Sequence, residues 1–145
     1  MIIIDANLLI YARSTSFPQH DVARNWLDDR LNEGGRVALP WESLIPFLRI
    51  LSHPRIVERP EAIESLWKQV DAWLALEVVW VPTPTDRHAE ILSSLAPLIS
   101  RPNLVHDAHL AALAISHGLT LMSTDGDFAR FPGLRWENPL RQSNP

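Results

Sequence analysis

Three aspartates in this sequence stand where a sheet-and-helix pattern would bring carboxylates together. Asp5 closes the apolar run Ile2-Ile3-Ile4, Asp125 follows the run Thr120-Leu121-Met122-Ser123, and Asp107 opens an alanine-rich segment that continues to His117. Each has an ordinary structural reading: Asp5 and Asp125 as N-caps, Asp107 as a first-turn acid favoured by the helix dipole. Gathered into one crevice they would do more, because crowded, partly buried carboxylates raise one another's pKa unless a cation lies between them. Mg²⁺ takes oxygen ligands in octahedral geometry and keeps several waters, so a few carboxylates with room for phosphate oxygens suit it. Such a site can activate a water and neutralise charge on a phosphodiester.

The elements that would position these acids are legible as short apolar runs alternating with longer segments of helical period, the pattern of an α/β fold built on a parallel sheet. Strands are expected at 2–4, 37–39, 78–81 and 120–123, with 134–136 as an edge, which makes a four- to five-stranded parallel sheet flanked by helices. Helices are expected at 7–12, 20–31, within 41–51, and at 61–76, 86–99 and 107–117. In open parallel sheets, sites form beyond the carboxyl ends of the strands, above all where strand order reverses, so strand-end Asp5 and Asp125 can meet there. Ala108, Ala111, Ala112 and Ala114 are small enough to let their helix approach the sheet and carry Asp107 to the same crevice. On the segment 20–31, Val22, Trp26 and Ala23 form the expected buried face, and Gly34-Gly35 is the expected stop.

Composition narrows the classes. A chain of 145 residues with 46% hydrophobic content can bury a proper core, so a single domain over 1–141 is expected, with a loose polar tail at 142–145. The absence of cysteine excludes disulfides, thiolate zinc sites and cysteine nucleophiles. Lys68 is the sole lysine and follows no glycine-rich turn, which excludes a P-loop. A net charge of −4 argues against a broad basic face for nucleic acid but is compatible with an acidic metal pocket. No apolar run is long enough to span a bilayer and the opening residues lack a signal-peptide pattern, so a cytoplasmic location is expected. Of the six histidines, His106 and His109 flank Asp107 at i, i+3. Zinc needs three or four convergent ligands and no companion pair appears, so a polar or RNA-facing role is expected for them. Arg13, Arg49, Arg101 and the His53-Pro54-Arg55 turn are candidates to touch phosphate, with an acid partner as the alternative for Arg49. Trp26, Trp67 and Trp73 are expected in the core. Trp67, Val70 and Leu74 form a stripe suited to the core or to a partner, and Trp41, next to Glu42, is a candidate site wall.

Three segments together carry a family resemblance: Ile2-Ile-Ile-Asp5-Ala-Asn-Leu-Leu-Ile-Tyr-Ala12, Asn103-Leu-Val-His-Asp107-Ala-His-Leu-Ala-Ala-Leu-Ala114, and Ser123-Thr-Asp125-Gly-Asp127-Phe128. With Phe47–Arg55 and Phe131–Pro139 in support, the chain resembles a PIN domain of the VapC type, the toxin half of a VapBC toxin–antitoxin pair. The resemblance implies a helix-flanked sheet, Mg²⁺ (or Mn²⁺ as a substitute) in an acidic pocket, and endonucleolytic cleavage of RNA by a metal-activated water. It also implies a homodimer and a VapB-type antitoxin whose tail occupies the acidic groove. Asp5, Asp107 and Asp125 match the family's acidic positions, Asp127 a further acidic position, and Asn7 and Thr124 polar residues that line the pocket.

The chain departs from the family on the helix after the second strand. A glutamate usually precedes an apolar pair like Phe47-Leu48, and here that place is held by Pro46. Glu42 lies four residues earlier, about one turn and roughly 6 Å along a helix, and so faces the same side. The expected catalytic set is therefore Asp5, Glu42, Asp107 and Asp125, with the same four and Asp127 as metal ligands. Pro46 is comfortable only in a first turn or at a kink, which would move Glu42. The competing reading is a catalytically silent PIN-like module that binds nucleic acid or protein. An aspartate-nucleophile phosphatase ranks lower, since Asn7 stands where its second aspartate belongs and Lys68 has the wrong context.

Overall fold

A computed structural model describes residues 1–33 and 35–141. The tail expected at 142–145 and the Gly34 half of the expected helix stop lie outside the described residues.

Five strands, β1 (Ile2–Ile4), β2 (Val37–Ala38), β3 (Val79–Trp80), β4 (Thr120–Met122) and β5 (Arg135–Glu137), pair in parallel in the order β3-β2-β1-β4-β5. The chain builds outward from β1 through β2 to β3, then crosses over to add β4 and β5 on the other side of β1. The reversal of strand order therefore falls between β1 and β4, the two strands that lead into Asp5 and Asp125. All three β1 residues are buried, which is why the strand is a continuous apolar run rather than an alternating one. Its side chains divide by the period of two. Ile2 and Ile4 enter one core with Leu8, Leu9, Phe47, Leu66 and Trp73, while Ile3 enters another with Ala111, Leu113, Leu121 and Phe128.

The first core lies under α1 (Ala6–Arg13), α2 (His20–Asn32), α3 (Trp41–Leu51) and α4 (Ile63–Leu74), and the second under α5 (His88–Leu95) and α6 (Leu104–His117). In α6 the side chains of Ala108, Ala111, Ala112 and Ala114 are fully buried, so the helix does approach the sheet closely. It ends at Gly118, whose φ of 67° supplies the left-handed cap that other residues adopt only under strain. The helix expected at 86–99 breaks after Leu95 into a 3₁₀ turn, Ala96–Leu98, because Pro97 has no N–H to continue the α pattern. The helix α6 begins three residues before its expected start and so carries Asp107 in its first turn. No helix of the described residues is long and apolar enough to cross a membrane.

Two expectations about buried faces are corrected. Val22 is 55% exposed, whereas Ala23 and Leu27 are buried and Trp26 and Leu31 pack at the edge of the core. Two i, i+4 stripes run side by side on α2, and packing chose 23-27-31 over 22-26. Trp67 is likewise not in the core: on α4 it is Leu66, Val70 and Trp73 that are buried, and the Trp67 indole is pushed to the rim. Pro46 sits inside α3 rather than in its first turn, and the helix continues through it to Leu51, leaving the Glu42 carbonyl without its intrahelical donor.

Candidate metal centre

The register of the sheet assembles the site. Ile4 pairs with Met122, so the next residue on each strand brings Asp5 beside Ser123. The Asp5 backbone N–H continues the ladder to the Met122 carbonyl at 3.0 Å. Asp5 caps α1 through Oδ1, which accepts from Ala6 N–H at 2.8 Å, and its Oδ2 accepts from the Ser123 hydroxyl at 2.7 Å. Asn7 donates to the Ser123 hydroxyl oxygen at 3.1 Å and more distantly to Asp5 Oδ2 at 3.4 Å. The fully buried Ser123 also accepts from the Asp125 N–H at 3.0 Å, and its carbonyl takes the Trp136 indole N–H at 3.0 Å. Asp125 in turn caps the 3₁₀ turn Gly126–Arg130, with Oδ1 accepting from Asp127 N–H at 2.9 Å. The capping roles of Asp5 and Asp125 are thus real, and they fix the carboxylates at the strand ends instead of competing with a site.

Carboxylate oxygens of Asp107, Asp125 and Asp127 lie within 4.8 Å of one another. Asp5 is not in that tight group but adjoins it, and its charge is felt there. Burial, then the negative charges of Asp125, Asp5 and Asp127, push the Asp107 carboxyl from 3.8 up to about 6, with His106 opposing weakly. Burial also raises Asp5, against the hydrogen bonds from Ser123 and Ala6. Asp127 behaves differently: the hydrogen bond from Arg101 at 2.8 Å, joined by Arg130 at 3.0 Å, holds it below the usual carboxylate range. Asp107 and Asp5 are therefore raised by burial with repulsion added, and Asp127 has its own cations.

Glu42 does not join the tight group. It faces the same cleft, of about 710 Å³, whose acidic end is Asp5, Glu42 and Asp107. The remaining wall is Trp41, Ile45, Pro46 and Leu110, with Arg49 and His106 also lining it. Glu42 Oε2 lies 2.6 Å from His109 Nε2, and His109 Nδ1 lies 2.9 Å from His88 Nε2. An ionised Glu42 carboxylate can only accept, so His109 donates to it from Nε2. The 2.9 Å contact between His109 Nδ1 and His88 Nε2 holds one shared proton, and the tautomer decides which ring donates it. His88 Nδ1 is buried without a hydrogen-bond partner. Burial, and then His109, depress the His88 pKa, with Glu42 opposing.

The structure thus brings Asp107, Asp125 and Asp127 together, sets Asp5 beside them and places Glu42 on the adjoining wall. Of the polar or RNA-facing roles expected for the two histidines, His109 takes a polar one, its ring spent between Glu42 and His88, and exposed His106 lines the cleft. Arg13 is engaged by Glu61 at 2.8 Å and Arg101 by Asp127, so neither is free for phosphate. His53 accepts from the Arg55 N–H at 3.1 Å beyond the end of α3. Arg49 stays on the cleft, and no carboxylate among the described residues forms an ion pair with it. Ser123 was readable only as a strand residue; its alignment with Asp5 was the available signal. Nothing local marked His88, whose role depends on how α5 packs on α6.

A parallel sheet with acids at its β1/β4 reversal defines a class of protein, and residues 2–134 match the PIN domain family. The chain is 41% identical over 140 residues to Ribonuclease VapC37 of Mycobacterium tuberculosis, covering 96% of this chain and 97% of that one. It is 39% identical over 143 residues to Ribonuclease VapC33 of the same species, covering 98% and 100%. The structure of VapBC-1 from nontypeable Haemophilus influenzae shares the fold, with a TM-score of 0.70 at 17% identity over 97% of this chain and 100% of that one. The chain belongs to the PIN domain family and, within it, to the VapC proteins.

Proposed function

We propose that this chain is the toxin of a type II toxin–antitoxin pair, an endoribonuclease that hydrolyses RNA phosphodiesters with Mg²⁺, or Mn²⁺ in its place. The observation that carries the reading is the convergence of Asp107, Asp125 and Asp127 within 4.8 Å beside Asp5, with Asp107 pushed up to about 6 by burial and then by its acidic neighbours. An all-oxygen donor set under self-repulsion suits a hard divalent ion, and Asp107, Asp125 and Asp127 would hold it, with Asp5 beside them and Glu42 on the adjoining wall. When bound, the ion supplies Lewis acidity, neutralising phosphate charge and lowering the pKa of the attacking water.

The chain's own residues prepare that chemistry. By donating to Oδ2, Ser123 opposes the rise that burial imposes on the Asp5 carboxyl. His109 fixes Glu42 through Oε2, leaving Oε1 for a water or the ion. Asp127 lends charge to the cluster while its ion pairs with Arg101 and Arg130 hold its carboxylate in place. The relatives' printed name, ribonuclease, supports the activity, and the VapBC assemblies that share the fold support pairing with a VapB-type antitoxin. We extend the reading to a single PIN domain over 1–141 that acts as a homodimer in the cytoplasm, where its RNA lies.

The test is cleavage of mixed cellular RNA by purified protein with Mg²⁺ or Mn²⁺, with EDTA and Asp5→Asn as controls. Cleavage lost in both controls is expected. Cleavage that persists in both would refute the metal site, and a protein that neither cuts RNA nor binds Mn²⁺ would be the silent module.

A further inference from the structure

The acidic end of the cleft accounts for only part of its lining. Beyond Glu42 the wall on α3 is apolar, and it begins with an unusual arrangement: Trp41 and Trp67, both 39% exposed, stack on each other with ring centroids 6.2 Å apart and planes 16° apart. Large indoles normally lose their exposed area to the core, as Trp73 does at 6%. Here the two rings stack offset against each other, and Trp41 also borders the cleft. The stack holds the Trp41 plane, so a ligand laid against it loses little side-chain freedom. Ile45, 54% exposed, continues the surface one turn along α3. Arg49, another turn on and about 12 Å from Trp41 along the helix axis, ends it with a guanidinium that no acid pairs among the described residues.

We propose that Trp41, braced by Trp67, is a stacking platform for an unpaired RNA base next to the bond that is cut, with Arg49 on an adjoining phosphate. The inference rests on the ribonuclease reading and deepens it by specifying the substrate as single-stranded or looped RNA. Charge order along the cleft selects this occupant. Carboxylates suited to a cation, an aromatic plane and a free cation follow one another within a short span, and RNA repeats a phosphate and a flat base at every nucleotide. An apolar peptide would cover Trp41 and Ile45 but would leave Arg49 and the acidic end unmatched. A base can lie flat on Trp41 only after leaving its own stack, which a duplex interior resists and a loop or free strand permits.

The experiment is binding of short fluorescein-labelled single-stranded RNA of mixed sequence, and of the same RNA as duplex, with Ca²⁺ in place of Mg²⁺ and the RNA checked for integrity. Wild type is compared with Trp41→Ala, Trp41→Leu, Trp41→Phe, Trp67→Ala and Arg49→Ala, each confirmed folded by circular dichroism, and Mn²⁺ affinity is measured in parallel by calorimetry. Trp41→Ala and Trp41→Leu should weaken single-strand binding by roughly 5- to 150-fold, the range for one base stacked on an aromatic ring. Trp41→Phe should retain most of the affinity, Trp67→Ala should lose part of it, and Mn²⁺ affinity should not change. Arg49→Ala should lower the salt dependence by about one phosphate contact. If Trp41→Leu binds as well as Trp41→Phe, or if Trp41→Ala keeps RNA binding while losing self-association in sedimentation, the platform is overturned and the patch is a protein surface. In those cases metal-dependent cleavage by the wild type still stands. If the wild type itself neither binds nor cuts RNA with Mn²⁺, the ribonuclease reading fails and the platform fails with it.

Discussion

In metal-free protein, Asp107→Asn should make the fold more stable at neutral pH, although it removes a residue proposed to hold the metal. The Asp107 carboxyl is shifted from 3.8 to about 6 by burial and by Asp125, Asp5 and Asp127. A difference of about two units corresponds to roughly 3 kcal/mol if it were wholly expressed. The side chain is half-buried and solvent screens it, so about 1–2 kcal/mol is the reasonable expectation. The sign follows from proton linkage. The folded state binds the proton more tightly than the unfolded chain, so between pH 4 and pH 6 folding is coupled to proton uptake and stability falls as pH rises, the deficit being complete above about 6. Asparagine reproduces the neutral acid and carries no such penalty.

The variant should therefore match the wild type near pH 4 and melt about 3–6 °C higher at pH 7 in EDTA, taking roughly 3 °C per kcal/mol for a chain of this size. Thermal melts by circular dichroism between pH 4 and pH 8 measure this directly. Saturating Mn²⁺ should reverse the order, because an ion at a hundred times its Kd adds about 2.7 kcal/mol to the wild type and much less to the variant. Equal melting temperatures at pH 7 in EDTA, or a steeper pH dependence in Asp107→Asn, would refute the claim that the acids repel one another in the folded protein.

Three further outcomes follow from the contacts. Ser123→Ala removes the 2.7 Å hydrogen bond that favours ionised Asp5; Asp5 should then titrate higher still, and calorimetry should find Mn²⁺ binding weakened more at pH 6 than at pH 8, a uniform loss counting against the role. His109→Ala frees Glu42 from its 2.6 Å partner and should slow single-turnover RNA cleavage roughly 10- to 100-fold, the usual cost of losing a group that orients a ligand; His109→Gln, which retains a donor, should recover part of the rate, and an unchanged rate in the alanine variant would dismiss the contact. Ser43 is fully buried and donates to the Ile4 carbonyl at 2.7 Å, so Ser43→Ala should cost about 1–2 kcal/mol in urea denaturation, and no measurable loss would mean that the carbonyl finds another donor.

Much of the site was legible because its signals are local. An apolar run ending in aspartate states that a buried strand stops and a polar group must follow, and this happens at Asp5 and again after β4 at Asp125. The alanine spacing in Leu104–His117 states that one helix can lie close to the sheet, and the fully buried Ala108, Ala111, Ala112 and Ala114 bear this out. Alternation of strand and helix periods was enough for a parallel α/β sheet. Glu42 was found by counting one turn back from Pro46, and it does face the cleft.

Other features depended on which distant surfaces meet. Two equally spaced stripes on α2 made Val22 and Ala23 equivalent candidates until the helix docked and buried Ala23. The order β3-β2-β1-β4-β5, and with it the reversal beside β1, is not contained in any one strand's pattern. Pairing of Arg13 with Glu61, of Arg101 with Asp127, and of His88 with His109 and Glu42 joins residues far apart in the chain. The sequence by itself determined which segments are strands and helices and which acids stand at strand ends, since periodicity and turn chemistry act over a few residues. Tertiary structure alone decided which charges neutralise each other and which remain unpaired, because an electrostatic partner is chosen by distance in space after packing and not by separation along the chain.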